Sequence, residues 1–143
     1  MYYIKSIMKN IIFKILEYSY YFSLVSLFVL YLFPGSLIGY FLYGNLGQQP
    51  DLIPNPIGTS INHLISFICL SSLAFIVRVR KKKFINSFKF LFFISILLEI
   101  FHYFIPNRAF EYYDLSANFI GVIFAYLFIQ LIIKIKIRYY ENI

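Results

Sequence analysis

The sequence predicts an all-α polytopic membrane protein, four transmembrane helices in a compact bundle with both termini cytoplasmic, and three observations carry that reading. First, the chain is 61% hydrophobic and 13% charged, with a mean hydropathy of +0.75, whereas soluble domains are about 45–50% apolar and about 25% charged. Second, apolar runs recur in four places at lengths near the ~20 residues that cross a hydrocarbon core. Third, lysine and arginine fall in three clusters: Lys5, Lys9 and Lys14; Arg78, Arg80, Lys81, Lys82 and Lys83; Lys134, Lys136 and Arg138. The positive-inside rule puts all three on one, cytoplasmic, side. Four spans consume most of the 143 residues, so residues 1–143 read as a single integral membrane domain.

The elements follow in order. Residues 1–17 mix Lys5, Lys9, Lys14 and Glu17 with apolar residues, as an amphipathic helix on the cytoplasmic surface would. The first span is expected at 18–33, ended or kinked by Pro34-Gly35. A secretory signal is the competing reading of this stretch. The run is long for a signal core and no A-x-A-like cleavage site follows, so a retained helix is expected. Leu37–Tyr43 is apolar but short, and either continues the helix beyond a kink or lies at the interface. Gly44, Gly47, Pro50, Pro54 and Pro56 then mark a loop whose only charge is Asp51, fitting an extracytoplasmic position. The second span is expected at 60–77, with Thr59 or Ser60 as N-cap. The third is expected at 84–105, where Lys89 can snorkel to the headgroups, and Pro106 ends it. The fourth is expected at 114–133, with Asp114 suited to its N-terminal end. Tyrosines, including Tyr18, Tyr20, Tyr21, Tyr139 and Tyr140, replace the absent tryptophan as interfacial aromatics.

The net charge of +7 could suggest nucleic acid. Its placement beside apolar runs instead fits topology signals and contact with anionic lipid, so no nucleic-acid partner is expected. Cys69 is the only cysteine, so an intramolecular disulfide and any cysteine-based metal motif are excluded.

One window breaks the apolar pattern. Glu99, His102, Pro106, Arg108, Asp114, Asn118 and Gly121 fall between positions 99 and 121. A carboxylate at the centre of a membrane helix costs roughly 2.5–3.5 kcal/mol on insertion scales, so Glu99 needs a partner. Glu99 and His102 share a helix face, as do Asp114, Asn118 and Gly121. Glu99 lies ~9 Å below Ile105, and Asn118 ~6 Å below Asp114, at 1.5 Å rise per residue. A short antiparallel turn would therefore set Glu99 near Asn118 and His102 near Asp114, with Arg108 above both. Gly121 would let these two helices approach closely, and His63 could join from the second span. These residues can clamp helices together. Alternatively, Arg108 can hold a phosphate or carboxylate while Glu99 or His102 handles a proton. The spacing of His63, His102, Glu99 and Asp114 matches no metal motif, so neither a metal nor another cofactor is expected.

The run from Glu99 through His102, Pro106 and Arg108 to Asp114, Asn118 and Gly121 resembles the VanZ-like family. That family's pattern is E-x-x-Q, then P-x-R, then D-x-x-x-N-x-x-G. His63 matches a histidine at the start of the family's second span. Two positions depart from it: His102 stands where glutamine is usual, and Thr59 and Ser60 replace an acidic-basic pair before the histidine. The resemblance implies four transmembrane helices and a role in the bacterial cell envelope. The family is named for low-level resistance to teicoplanin, which acts on peptidoglycan precursors outside the membrane.

Three readings of function stay open at this point. His63, Glu99, His102, Arg108, Asp114 and Asn118 bind or position an anionic envelope component, such as a lipid-linked precursor, at the outer leaflet of the inner membrane. Or the protein is an enzyme on a lipid-linked phosphate or saccharide. Or it is a structural subunit of a membrane complex with a partner the sequence does not identify.

Overall fold

The computed structural model describes residues 2–51, 53 and 58–141, so Pro54 and Pro56 of the expected loop lie outside the described residues. Among these the secondary structure is helical throughout: α1 (Tyr2–Leu32), α2 (Leu37–Tyr43), α3 (Ser60–Arg78), a 3-10 turn (Phe84–Asn86), α4 (Phe88–Phe101) and α5 (Tyr112–Glu141). Three helical stretches, Ser6–Leu32, Ser60–Arg78 and Tyr112–Tyr139, are long and apolar enough to cross a membrane.

Three expectations change here. From Tyr2 on, the expected amphipathic segment and the first span form one unbroken helix, because nothing between them breaks helical geometry before Pro34-Gly35. The Lys81 ammonium binds the Glu17 carboxylate at 2.6 Å and the Arg80 guanidinium lies 4.8 Å from the Phe13 ring centre, pinning this half of α1 to the basic turn after α3. The third expected span is the second change. It shortens to the 14 residues of α4, about 21 Å against the ~30 Å of a hydrocarbon core. The cause is local. The Asn86 amide donates to the Lys81 carbonyl and accepts from the Lys83 N–H, which closes the 3-10 turn. Ser87 Oγ then accepts the Phe90 N–H as N-cap, so the α-helix starts at Phe88. Tyr20 also departs from its expected interfacial place. It is fully buried and its hydroxyl donates to the Ile85 carbonyl at 2.5 Å, whereas Tyr18 and Tyr139 are exposed.

Side-chain pairs give the helix directions. Tyr31 meets His63 and Glu17 meets Lys81, so α1 and α3 run antiparallel. Ser95 meets Asn118 and Phe88 meets Tyr126, so α4 and α5 are antiparallel. Ser60 meets Asp114 and Phe75 meets Tyr126, so α3 and α5 run parallel. Leu24, Leu27, Phe67, Leu70, Leu91, Leu98 and Val122 fill the centre. Gly121 packs against α3, not against α4 as its neighbours suggested. A Cβ there would lie 2.8 Å from the Leu64 carbonyl oxygen and 2.9 Å from Phe67 Cβ. The parallel α3–α5 pair is thus in close backbone contact at Gly121.

This arrangement has two unlike ends. The turns rich in lysine and arginine collect at one. At the other, the C-terminal ends of α1 and α4 meet the N-terminal ends of α3 and α5, together with α2. Ser36 Oγ caps α2 through the Gly39 N–H at 2.9 Å. Gly39 lacks the Cβ that would strike the Gln48 carbonyl, so the loop after α2 folds back onto it and brings Gln49 to the bundle.

Candidate functional site

Of the six residues singled out, the structure brings His63, Glu99, His102, Asp114 and Asn118 into one buried cluster at the second end, with Arg108 half-buried beside it. Each arrives by a simple local rule. His63 lies in the first turn of α3 and Asp114 in the first turn of α5, where a carboxylate meets the positive end of the helix dipole. Glu99 and His102 close the last turn of α4, three residues apart, with His102 Nδ1 at 3.2 Å from Glu99 Oε1.

The hydrogen-bond pattern restricts the protons. His102 Nε2 lies 3.2 Å from the Tyr31 carbonyl oxygen. A carbonyl only accepts, so Nε2 carries a hydrogen. The Nδ1–Oε1 contact then needs one further proton, on the ring or on the carboxyl. Glu99 Oε1 also accepts the Glu111 N–H at 3.1 Å, while Glu99 Oε2 is buried without a hydrogen-bond partner. At the second histidine, the Asn118 amide nitrogen donates to the Ser95 carbonyl at 3.3 Å, which turns its oxygen towards Tyr31. The Tyr31 hydroxyl donates to that oxygen at 2.8 Å. Tyr31 has spent its only proton, so at 2.9 Å its oxygen accepts from His63 Nδ1. His63 Nε2 is left facing Asp114 Oδ2 at 3.3 Å, while Ser60 Oγ donates to Asp114 Oδ1.

Arg108, expected above Glu99 and Asp114, pairs with neither. Nη2 donates to the Leu30 carbonyl at 2.7 Å, Nε to the Phe33 carbonyl at 3.4 Å, and Nη1 to Gln49 Oε1 at 3.3 Å. The reason is that the last carbonyls of α1 have no intrahelical donors and carry the negative end of the dipole. Burial pulls the guanidinium below its ordinary range, although an arginine stays charged at neutral pH. Glu111, just before α5, has its carboxyl raised above the usual range, first by burial and then by the charges of Asp114 and Glu99.

Arg108 and Gln49 stand between two cavities. A polar cleft of about 330 Å³ is lined by His102, Asn107, Arg108, Glu111 and Asp114. A smaller apolar one of about 90 Å³ reaches Tyr31 and His63 from the α2 side. The buried cluster is thereby in contact with open space on two sides.

Two expected pairs do not form: Glu99 with Asn118, and His102 with Asp114. Asn118 is taken by Tyr31 and Ser95, and Glu99 by His102 and the Glu111 backbone. Sequence reasoning missed Tyr31, Ser60, Gln49 and Glu111. Tyr31 belongs to a chain of 14 tyrosines, and its place just before Pro34-Gly35 resembles that of an interfacial anchor. Ser60 reads as a helix cap, but its hydroxyl goes to Asp114 and Thr59 holds the cap position without a side-chain bond.

No curated protein and no solved structure matches this chain. The model of one protein family, VanZ/LLP1, matches residues 3–133. That stretch contains every residue of the cluster and the cleft, the first two long apolar stretches, and the third as far as residue 133. Together with those helices, the match makes this an integral membrane protein of VanZ type: the chain belongs to the VanZ/LLP1 family.

Proposed function

We propose that this protein sits in the bacterial cytoplasmic membrane with four crossings and both termini cytoplasmic, and that its outer-end cleft binds an anionic headgroup of an envelope component. The short helix α4 makes the fourth crossing, its basic end extended by the 3-10 turn and Lys89. The observation that carries the binding reading is the polar cleft beside Arg108. Three of the five guanidinium N–H groups hold the end of α1 and Gln49. Two remain for a phosphate or carboxylate oxygen in the cleft. Glu111 and Asp114 line the same cleft, and the hydroxyl or ammonium groups of a lipid-linked saccharide or zwitterionic headgroup answer them. The family resemblance connects such a site with glycopeptide resistance through the precursors on the outer leaflet.

The enzymatic reading has one specific support. His102 borders the cleft and shares with Glu99 a contact that needs a proton, so it can deliver or take one at a bound phosphate or glycosidic oxygen.

The topology is checked by cysteine labelling in a Cys69→Ala background. Gly47→Cys should react with an impermeant reagent from outside and Lys82→Cys should not; the reverse pattern overturns the orientation. Ligand binding is checked by mass spectrometry of co-purifying lipids. The parent should retain an anionic lipid, and Arg108→Lys should fold yet lose most of it, because the planar fork that grips two oxygens is gone. Ala109→Phe should also lose it, since Ala109 lines the cleft without bonding to α1. Lipid retained equally in both variants means that the cleft is not the binding site and leaves the cluster as a helix clamp.

A further inference from the structure

We infer that His63, Glu99 and Asp114 form a binding site for one divalent first-row cation, a reading that stands independently of the ligand proposed for the cleft. One ligand atom from each residue lies within 4.8 Å of the others, and all three residues are buried. The stronger observation is how the remaining atoms are used. Glu99 Oε1 is held by His102 and the Glu111 N–H, Asp114 Oδ1 by the Ser60 hydroxyl, and His63 Nδ1–H by the Tyr31 oxygen. Each candidate ligand thus has one atom fixed by an outer partner and one atom left over: Glu99 Oε2, Asp114 Oδ2 and His63 Nε2. This is the division of labour that metal-binding carboxylates and imidazoles show, with outer hydrogen bonds fixing the tautomer and orientation.

Glu99 Oε2 supplies the independent sign. It is buried, has no hydrogen-bond partner, and lies 3.8 Å from His63 Nδ1, the nitrogen that donates to Tyr31. A carboxylate oxygen with nothing to accept is costly in such a place. The His63 lone pair at Nε2 points at another acceptor, Asp114 Oδ2, at 3.3 Å. A positive charge between them resolves both conflicts. Ligand atoms around a tetrahedral zinc-sized ion are about 3.4 Å apart, so atoms that lie within 4.8 Å of one another close on an ion by at most about 1.5 Å. One imidazole and two carboxylates suit zinc or manganese. Three protein ligands leave a coordination position for water or an oxyanion. The sequence could not reveal this site, because its ligands come from three helices and form no local motif.

The rival source of positive charge is a proton on His63. Chelator-stripped, untagged protein carrying Cys69→Ala, in detergent, is titrated with Zn²⁺ and separately with Mn²⁺, and the bound metal is counted after dialysis. The expected result is one ion per chain, falling at least tenfold in Glu99→Gln and in Asp114→Asn, and unchanged in Asp51→Asn. Zinc-edge X-ray absorption on the parent should give nitrogen and oxygen ligands, a result that does not depend on whether the variants fold. Failure of the parent to bind either ion overturns the site in favour of the protonated histidine. So does binding that survives both substitutions, or a first shell without nitrogen. Because no lipid is added, failure here leaves the headgroup reading of the cleft intact.

Discussion

Gly121→Leu should yield a protein that unfolds far below the parent in detergent, and Gly121→Ala one that is measurably weakened. The glycine faces backbone rather than a yielding side chain tip. Its absent Cβ would fall 2.8 Å from the Leu64 carbonyl oxygen, 2.9 Å from Phe67 Cβ and 3.2 Å from the Ile68 nitrogen. Alanine gains about 0.8–1 kcal/mol of helix propensity over glycine, but overpacking a tight contact costs typically 1–3 kcal/mol. The balance is therefore against alanine, and the longer side chain of leucine has nowhere to go without moving α3. That movement reaches the site as well, because α3 carries Ser60 and His63 to Asp114 on α5. Thermal unfolding of the purified variants checks this. A Gly121→Leu protein as stable as the parent would show that α3 and α5 are not in backbone contact there.

Gly121 also illustrates what the sequence could and could not convey. Its spacing from Asp114 and Asn118 correctly puts it on the working face of α5, since helical periodicity is local. Which neighbour it meets is not local. The sequence favours α4, joined by a short turn, but the parallel α3 takes that face and α4 packs beside it through Ser95 and Phe92. The same limit applies to the cluster. Five of its residues are legible because polar groups in apolar runs are costly and few. Their pairing is not, because it depends on Tyr31 from α1, which enters between His63 and Asn118 and displaces Glu99 from the amide. Arg108 is legible as a charged loop residue beside the cluster. The carbonyls it holds at the end of α1 could not be found without knowing where α1 stops. The shortness of α4 is likewise hidden, since Phe84 and Ile85 continue the apolar run and only the capping bonds of Asn86 and Ser87 separate the turn from the helix.

Glu99→Leu should be the most damaging single change within the cluster, and Glu99→Gln much milder. Leucine is a better guest for an apolar helix, so simple hydrophobicity predicts the opposite order. The hydrogen bonds decide against it. Leucine leaves His102 Nδ1 without its partner in a buried place and the part-buried Glu111 N–H without its acceptor. Each buried polar group so orphaned costs about 1–3 kcal/mol, rising to about 3–5 kcal/mol where the shared proton sits on the ring and the pair is charged. Glutamine keeps an oxygen for the Glu111 N–H, and its amide nitrogen takes the place of Oε2, which has no hydrogen bond to lose. The measurement is thermal unfolding in detergent with a chelator present, so that bound cations do not contribute. A gap of at least several degrees between the two variants is expected. Equal losses would mean that the Glu99 hydrogen bonds do not stabilise the bundle, and that its carboxylate is held in place only by surrounding helices. The milder variant then has a second use: if Glu99→Gln folds but no longer retains zinc, the carboxylate oxygen left without a hydrogen bond is needed for the ion and not for the fold.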